Sequence, residues 1–163
     1  MKKIIFLIIF YLFFPINVNA NEIIIVDINF LLKNSEKGKK IQKELDNLGS
    51  KQKKNFEKKH KDLKEKENKI MSKKNVLSEE DLKKEIESFR SELRKFNDEK
   101  RKSMNEMNTK QANMISKLLE DINKILINYS KEKNISTIID KKNVIITKAE
   151  NDITKEILSI LNK

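Results

Sequence analysis

Residues 78–133 read SEEDLKKEIESFRSELRKFNDEKRKSMNEMNTKQANMISKLLEDINKILINYSKEK. Leu82, Ile86, Phe89, Leu93 and Phe96 follow one another at alternating intervals of four and three. That spacing puts them on one stripe of an α-helix. Lys100 and Ser103 interrupt the stripe, and Met104, Met107, Met114, Leu118, Ile122, Ile125 and Tyr129 resume it. Neither glycine nor proline, the main local breakers of regular structure, occurs from Ser50 to Lys163. The stretch therefore predicts one uninterrupted helix of roughly 80 Å at about 1.5 Å per residue. Ser78 is a good N-cap, and Glu79, Glu80 and Asp81 complement the helix dipole in the first turn. The C-terminal third is the most apolar, so a true core is expected at that end.

Working backwards, residues 72–78 read as a turn and the residues before them as an antiparallel partner helix. From Lys39, the positions Ile41, Leu45 and Leu48 are spaced four and three, and Phe56, Leu63 and Ile70 then recur at sevens. Where a well-filled coiled coil would place its second apolar residue, this chain has Lys59, His60, Lys66 and Glu67. The seam is half-filled. Gly38 marks a break before the arm, and Gly49 a hinge or a close approach within it. Residues 39–133 are thus a helical-hairpin arm.

The flanks read as a small β-rich base. Residues 22–27, EIIIVD, are too short for a helix and apolar on both faces, as in a buried strand. Residues 28–34 begin a helical turn. After Asn134, the runs 137–140 (TIID) and 144–147 (VIIT) predict a β-hairpin, with Asn143 suited to a left-handed turn. Asp152 or Thr154 can cap a last helix carrying Ile153, Ile157, Leu158 and Leu161. The expected class is α+β, mostly α. Residues 21–38 and 134–163 would form a base of three strands and a short helix. So small a base buries little surface, which predicts oligomerisation through Ile23, Ile24, Ile25, Val26, Ile138, Ile139, Val144, Ile145 and Ile146.

Residues 1–20 have the layout of a secretory signal peptide: Lys2-Lys3, the uncharged run 4–14, Pro15, and small or modest residues up to cleavage between Ala20 and Asn21. An uncleaved anchor competes, although the run is shorter than the roughly 20 residues a membrane span needs. Export is the expectation, and it argues against nucleic acid as a physiological partner.

The chain has no cysteine and one histidine, His60, which excludes disulfides and leaves no transition-metal constellation. Two glycines cannot build a phosphate loop. The acidic residues alternate with lysines, as on solvated faces. No catalytic residue, metal or cofactor is expected. Formal charge is +11, of which Lys2 and Lys3 supply two. A Lys-, Asn- and Ile-rich composition can reflect genomic base bias, but the charge is also localised. Residues 51–75 hold eleven lysines against four carboxylates, whereas residues 79–102 balance. A basic distal arm favours acidic polypeptides, lipopolysaccharide phosphates or an anionic membrane surface.

In order and spacing, these residues resemble the Skp/OmpH family of periplasmic chaperones. The resemblance rests on residues 25–38 (IVDINFLLKNSEKG) with the helix start that follows, on residues 138–146 (IIDKKNVII), and on residues 152–158 (DITKEIL). It spans essentially everything after residue 20. It implies a homotrimer joined by the bases, with arms surrounding a cavity that holds unfolded outer-membrane proteins without ATP. The chain departs from the family at residues 134–136, where an aromatic residue and a glycine are common, and in the lysine content of the arm. On this reading Lys51, Lys53, Lys54, Phe56, Lys58, Lys59, Leu63, Ile70, Met71, Phe89 and Phe96 are client-binding candidates. The same apolar residues also fit a plain helix–helix seam, which is the favoured reading for most of them. The competing function is a periplasmic coiled coil that bridges envelope components or coats an anionic surface.

Overall fold

The computed structural model describes residues 23–163. The expected signal peptide, with Ala20 and Asn21, lies outside the described residues. Strand β1 (Ile23–Val26) leads through helix α1 (Ile28–Asn34) into α2 (Glu36–Lys73). Helix α3 (Glu79–Glu132) returns, followed by β2 (Thr137–Asp140), two 3-10 turns (Lys141–Asn143 and Ala149–Asn151) and α4 (Thr154–Leu161). None of these helices is long and apolar enough to cross a membrane.

Helix α3 starts where its residues predict. The Ser78 hydroxyl accepts a hydrogen bond from the Asp81 amide at 3.2 Å, satisfying one of the free N–H groups of the first turn. The break before the arm falls at Ser35 rather than Gly38. Asp27 caps α1, accepting from the Phe30 amide at 2.8 Å. Buried Ser35 then caps α2, accepting from the Gly38 amide at 3.0 Å. Gly38 sits inside α2 because α1 folds tightly against it. A Cβ there would stand 1.8 Å from the Leu32 carbonyl oxygen. At Gly49 a Cβ would meet only the Met107 methyl, at 3.9 Å, and α2 runs through without a break. Gly49 is therefore not a close-approach site.

The base differs from the expected three-stranded sheet with a hairpin. β1 and β2 pair in parallel, Ile23 with Thr137 through Val26 with Asp140. A parallel pair needs a long crossover, and here the whole arm supplies it. The other edge of β1 is taken by the segment entering α4. Ile25 bridges to Asp152, and its carbonyl accepts from the Ile153 amide at 3.0 Å. Residues 144–147 form no strand in the single chain. The preceding residues coil into a 3-10 turn instead of reversing the chain, leaving Ile145 and Ile146 98% and 88% exposed. The left-handed residue is Asn134, at φ 53°, not Asn143.

One apolar cluster forms the core: Ile24, Val26, Leu31, Leu118, Ile122, Ile153, Ile157 and Leu161. It sits at the base, where the C-terminal third of α3 meets β1, α1 and α4. Ile24, Ile25 and Val26 are spent inside the chain and are not a free interface.

Candidate functional site

The arm is held by layers of two kinds. Lys59 reaches Glu99, Lys66 reaches Glu92, and Lys73 reaches Glu85 at 3.6 Å, all from α2 to α3. Towards the base, Glu44 meets Lys110 at 2.7 Å and Lys37 meets Asp121 at 2.5 Å. Partner numbers run in opposite directions, as antiparallel helices require. Between the ionic layers lie apolar ones. The Phe56 and Phe96 rings meet edge to face with centroids 6.0 Å apart, and His60 stacks on Phe96 at 6.4 Å. Of the seam positions that look unfilled in α2, Lys59 and Lys66 are thus filled by ion pairs to carboxylates of α3, and His60 by its stacking on Phe96. Each of these pairs is partly exposed, and such pairs stabilise by about 0–1 kcal/mol. From residue 39 to residue 117 only Ile70 is buried.

The client-binding candidates therefore separate. Phe56, Leu63 and Phe96 are half-buried in the seam, and Lys59 belongs to it through Glu99. Lys51, Lys54 and Lys58 are exposed and form no ion pair among the described residues, while Lys53 reaches only Glu57, at 3.9 Å. Ile70, Met71 and Phe89 come together near the tip, in a groove of about 430 Å³. Leu82, Ile86 and Leu93 complete its apolar lining, and Glu67, Lys74 and Arg90 stand at its edge. Met71 is 66% exposed there. Leu82, Ile86 and Leu93 fit a seam stripe equally well, so their place in the groove was not legible. The ionic layers did have a signal: Lys59, Lys66 and Lys73 recur at sevens, as do Glu85, Glu92 and Glu99.

The base candidates separate as well. Ile138 and Ile139 are half-buried in β2 and Val144 is half-buried beyond it, whereas Ile145, Ile146 and Ile23 are exposed. Phe30 (41% exposed) lines one cleft of the base together with Val144, Ile145 and Ile146. Beneath residues 144–148 a polar latch fastens the base. The Asp27 amide donates to the Thr154 hydroxyl at 2.8 Å, and the Thr154 amide donates to Asp152 at 3.0 Å. The Lys141 ammonium donates to the other Asp152 oxygen at 2.7 Å. Burial alone would push the Asp152 carboxyl up, but Lys141 and the Thr154 hydroxyl and amide together hold it below the ordinary value. On α3, the Tyr129 hydroxyl donates to Glu156 of α4. That bond, with burial adding, pushes the phenol up to about 12.

The profile of the family described as "Outer membrane protein (OmpH-like)" matches residues 22–161. No curated protein matches the sequence. A crystal structure described as that of an OmpH-like outer membrane chaperone from Caulobacter crescentus CB15 superposes with a TM-score of 0.80 at 14% identity. That match covers 86% of this chain and 83% of the other. At so low an identity the likeness speaks for the fold alone, but the profile spans nearly all of the described chain. The chain therefore belongs to the OmpH-like outer membrane protein family.

Proposed function

We propose that this protein is an ATP-independent holdase of the periplasm that keeps unfolded outer-membrane proteins soluble before insertion. Family membership supports a chaperone-type role. One observation carries the finer reading: the base closes its own core, while the arm projects without one. A spacer would profit from a filled seam. This arm instead carries half-exposed apolar side chains among unpaired lysines, which suits weak, adaptable contact with many sequences. Met71 adds a flexible side chain of the kind found on such surfaces. The lysines attract acidic clients within a screening length of about 8–10 Å and act mainly on encounter rate.

The assembly is a homotrimer joined at the bases, with the arms around a cavity. Exposed Ile23, Phe30, Ile145 and Ile146 supply the surface for neighbouring copies, and the run 144–147 becomes a strand there. The reading needs no catalytic residue, metal or cofactor. Lipopolysaccharide phosphates or an anionic membrane would meet the same lysines.

The test dilutes a urea-unfolded outer-membrane protein into buffer containing residues 21–163, without nucleotide, and follows light scattering against stoichiometry. Suppression saturating at about three chains per client, one closed cyclic oligomer, is expected. A folded, helical chain that suppresses nothing at any ratio would sink the holdase and leave the envelope-bridging coiled coil.

A further inference from the structure

We infer that the seam of the distal arm is itself a concealed client site: α2 and α3 separate reversibly, and an unfolded segment takes the place of α3 against α2. This rests on the holdase reading and names where the client lies. The first ground is how little holds the seam. Lys59–Glu99, Lys66–Glu92 and Lys73–Glu85 have side chains about two-fifths to one-half exposed. Exposed pairs of this kind contribute little, and the apolar layers between them are only half-buried except at Ile70. Segments with few buried apolar contacts open locally at far lower cost than a core does. The base, with Leu31, Ile122 and Ile157 fully buried, stays shut while the distal arm opens.

The second ground is the chemistry that opening uncovers. The seam face of α2 presents Phe56, Leu63 and Ile70 alternating with Lys59, Lys66 and Lys73, each set at a spacing of seven. In the closed arm, α3 meets that face with Phe89 and Phe96 alternating with Glu85, Glu92 and Glu99. The occupant must bring the same two things, so it is an unfolded segment in which apolar or aromatic side chains alternate with carboxylates. Charge supports α2 as the receiving face, since residues 51–75 carry the lysine excess. The arm thus hides its stickiest side chains against an imperfect internal partner until a better one arrives. Exposure is limited in the free chain, and no nucleotide is needed to release it.

The absence of cysteine allows a direct test. Ile70→Cys reports on the seam, Met71→Cys is the exposed control, and Ile122→Cys reports on the base. Leu63→Cys is a second seam probe in case Ile70→Cys disturbs the arm. Thiol alkylation of Ile70→Cys should run about 10- to 1,000-fold slower than that of Met71→Cys, and far faster than that of Ile122→Cys. An unfolded, cysteine-free outer-membrane β-barrel protein should then protect Ile70→Cys further. Replacing the ionic layers with leucine (Lys59→Leu, Lys66→Leu, Glu92→Leu and Glu99→Leu together) should slow alkylation at residue 70 about tenfold or more and reduce holding in step. Holding with no added protection at the seam probes overturns this inference and leaves the holdase standing. Slowed alkylation with undiminished holding does the same. A chain that holds no client overturns both.

Discussion

At the scale of single residues, the two glycines show how one residue type answers different demands. Gly38 is required by the Leu32 carbonyl, which would stand 1.8 Å from an added Cβ. Gly38→Ala should cost about 2–3 kcal/mol, because backbone must move, and should lower the urea midpoint. Gly49 has only the Met107 methyl within 4 Å of its would-be Cβ. Gly49→Ala should raise stability by about 0.5–1 kcal/mol through helix propensity, a rise the same titration would register. Asn134 adopts the left-handed conformation, at φ 53°, which asparagine tolerates better than most residues. The departure at residues 134–136 therefore leaves the turn intact. Asp152 sets a pH dependence. Its folded pKa lies below the ordinary value, so its contribution is present above an unfolded pKa of about 3.9 and is lost as pH falls through the folded one. Urea midpoints measured from about pH 5 downward should fall more steeply for the wild type than for Asp152→Asn. The two curves should converge once the carboxyl is protonated in both states.

At the scale of elements, the arm separates helix formation from helix pairing. Each long helix follows from its own residues: no internal proline, a serine cap, and acidic charge in the first turn, Glu36 alone in α2 and Glu79, Glu80 and Asp81 in α3. Ser78→Ala should cost about 1 kcal/mol. Because the tip lies far from the core, the loss should appear as faster amide exchange in the first turn of α3, with the global transition almost unmoved. A fall in the global midpoint of that size would mean that the tip unfolds with the base. Pairing is a different matter. A lysine in a seam reads as a defect until its carboxylate is found on the opposite helix. Partly buried ion pairs are weaker than the apolar contacts that could replace them. The four-leucine arm (Lys59→Leu, Lys66→Leu, Glu92→Leu and Glu99→Leu) should therefore be more stable by about 1–4 kcal/mol. A higher midpoint for the arm, read by a probe at the tip, would show this, and a lower one would mean that the ionic layers hold the register.

At the scale of the whole molecule, one chain closes its base. The last helix reaches back to the root of the arm, where the Asn162 side chain accepts the Glu36 amide at 2.9 Å and caps α2. Ile145 and Ile146 take no part in that closure. Ile145→Glu with Ile146→Glu should dissociate the proposed trimer while leaving monomer helicity intact, as sedimentation and circular dichroism together would show. Loss of helicity would instead place these residues in the fold of each chain. By itself, the sequence determined the long hairpin, its turn, the Ser78 cap and the apolar end of α3. These depend on periodicity and on the absence of breakers, which are local properties. It did not determine the Ser35 cap of α2, nor the start of α4, where Ile153 rather than Asp152 or Thr154 takes the N-cap position without a side-chain bond. The signal for the ionic layers is also written in heptads, but reading it needs both helices in register. The base was decided by tertiary structure. Short apolar runs such as 23–26, 137–140 and 144–147 carry no information about partner or direction. Which of them pair, and in parallel, depends on what else reaches the edge of β1. The segment entering α4 arrives there, anchored by Asp152 and Thr154, and the third apolar run is left outside.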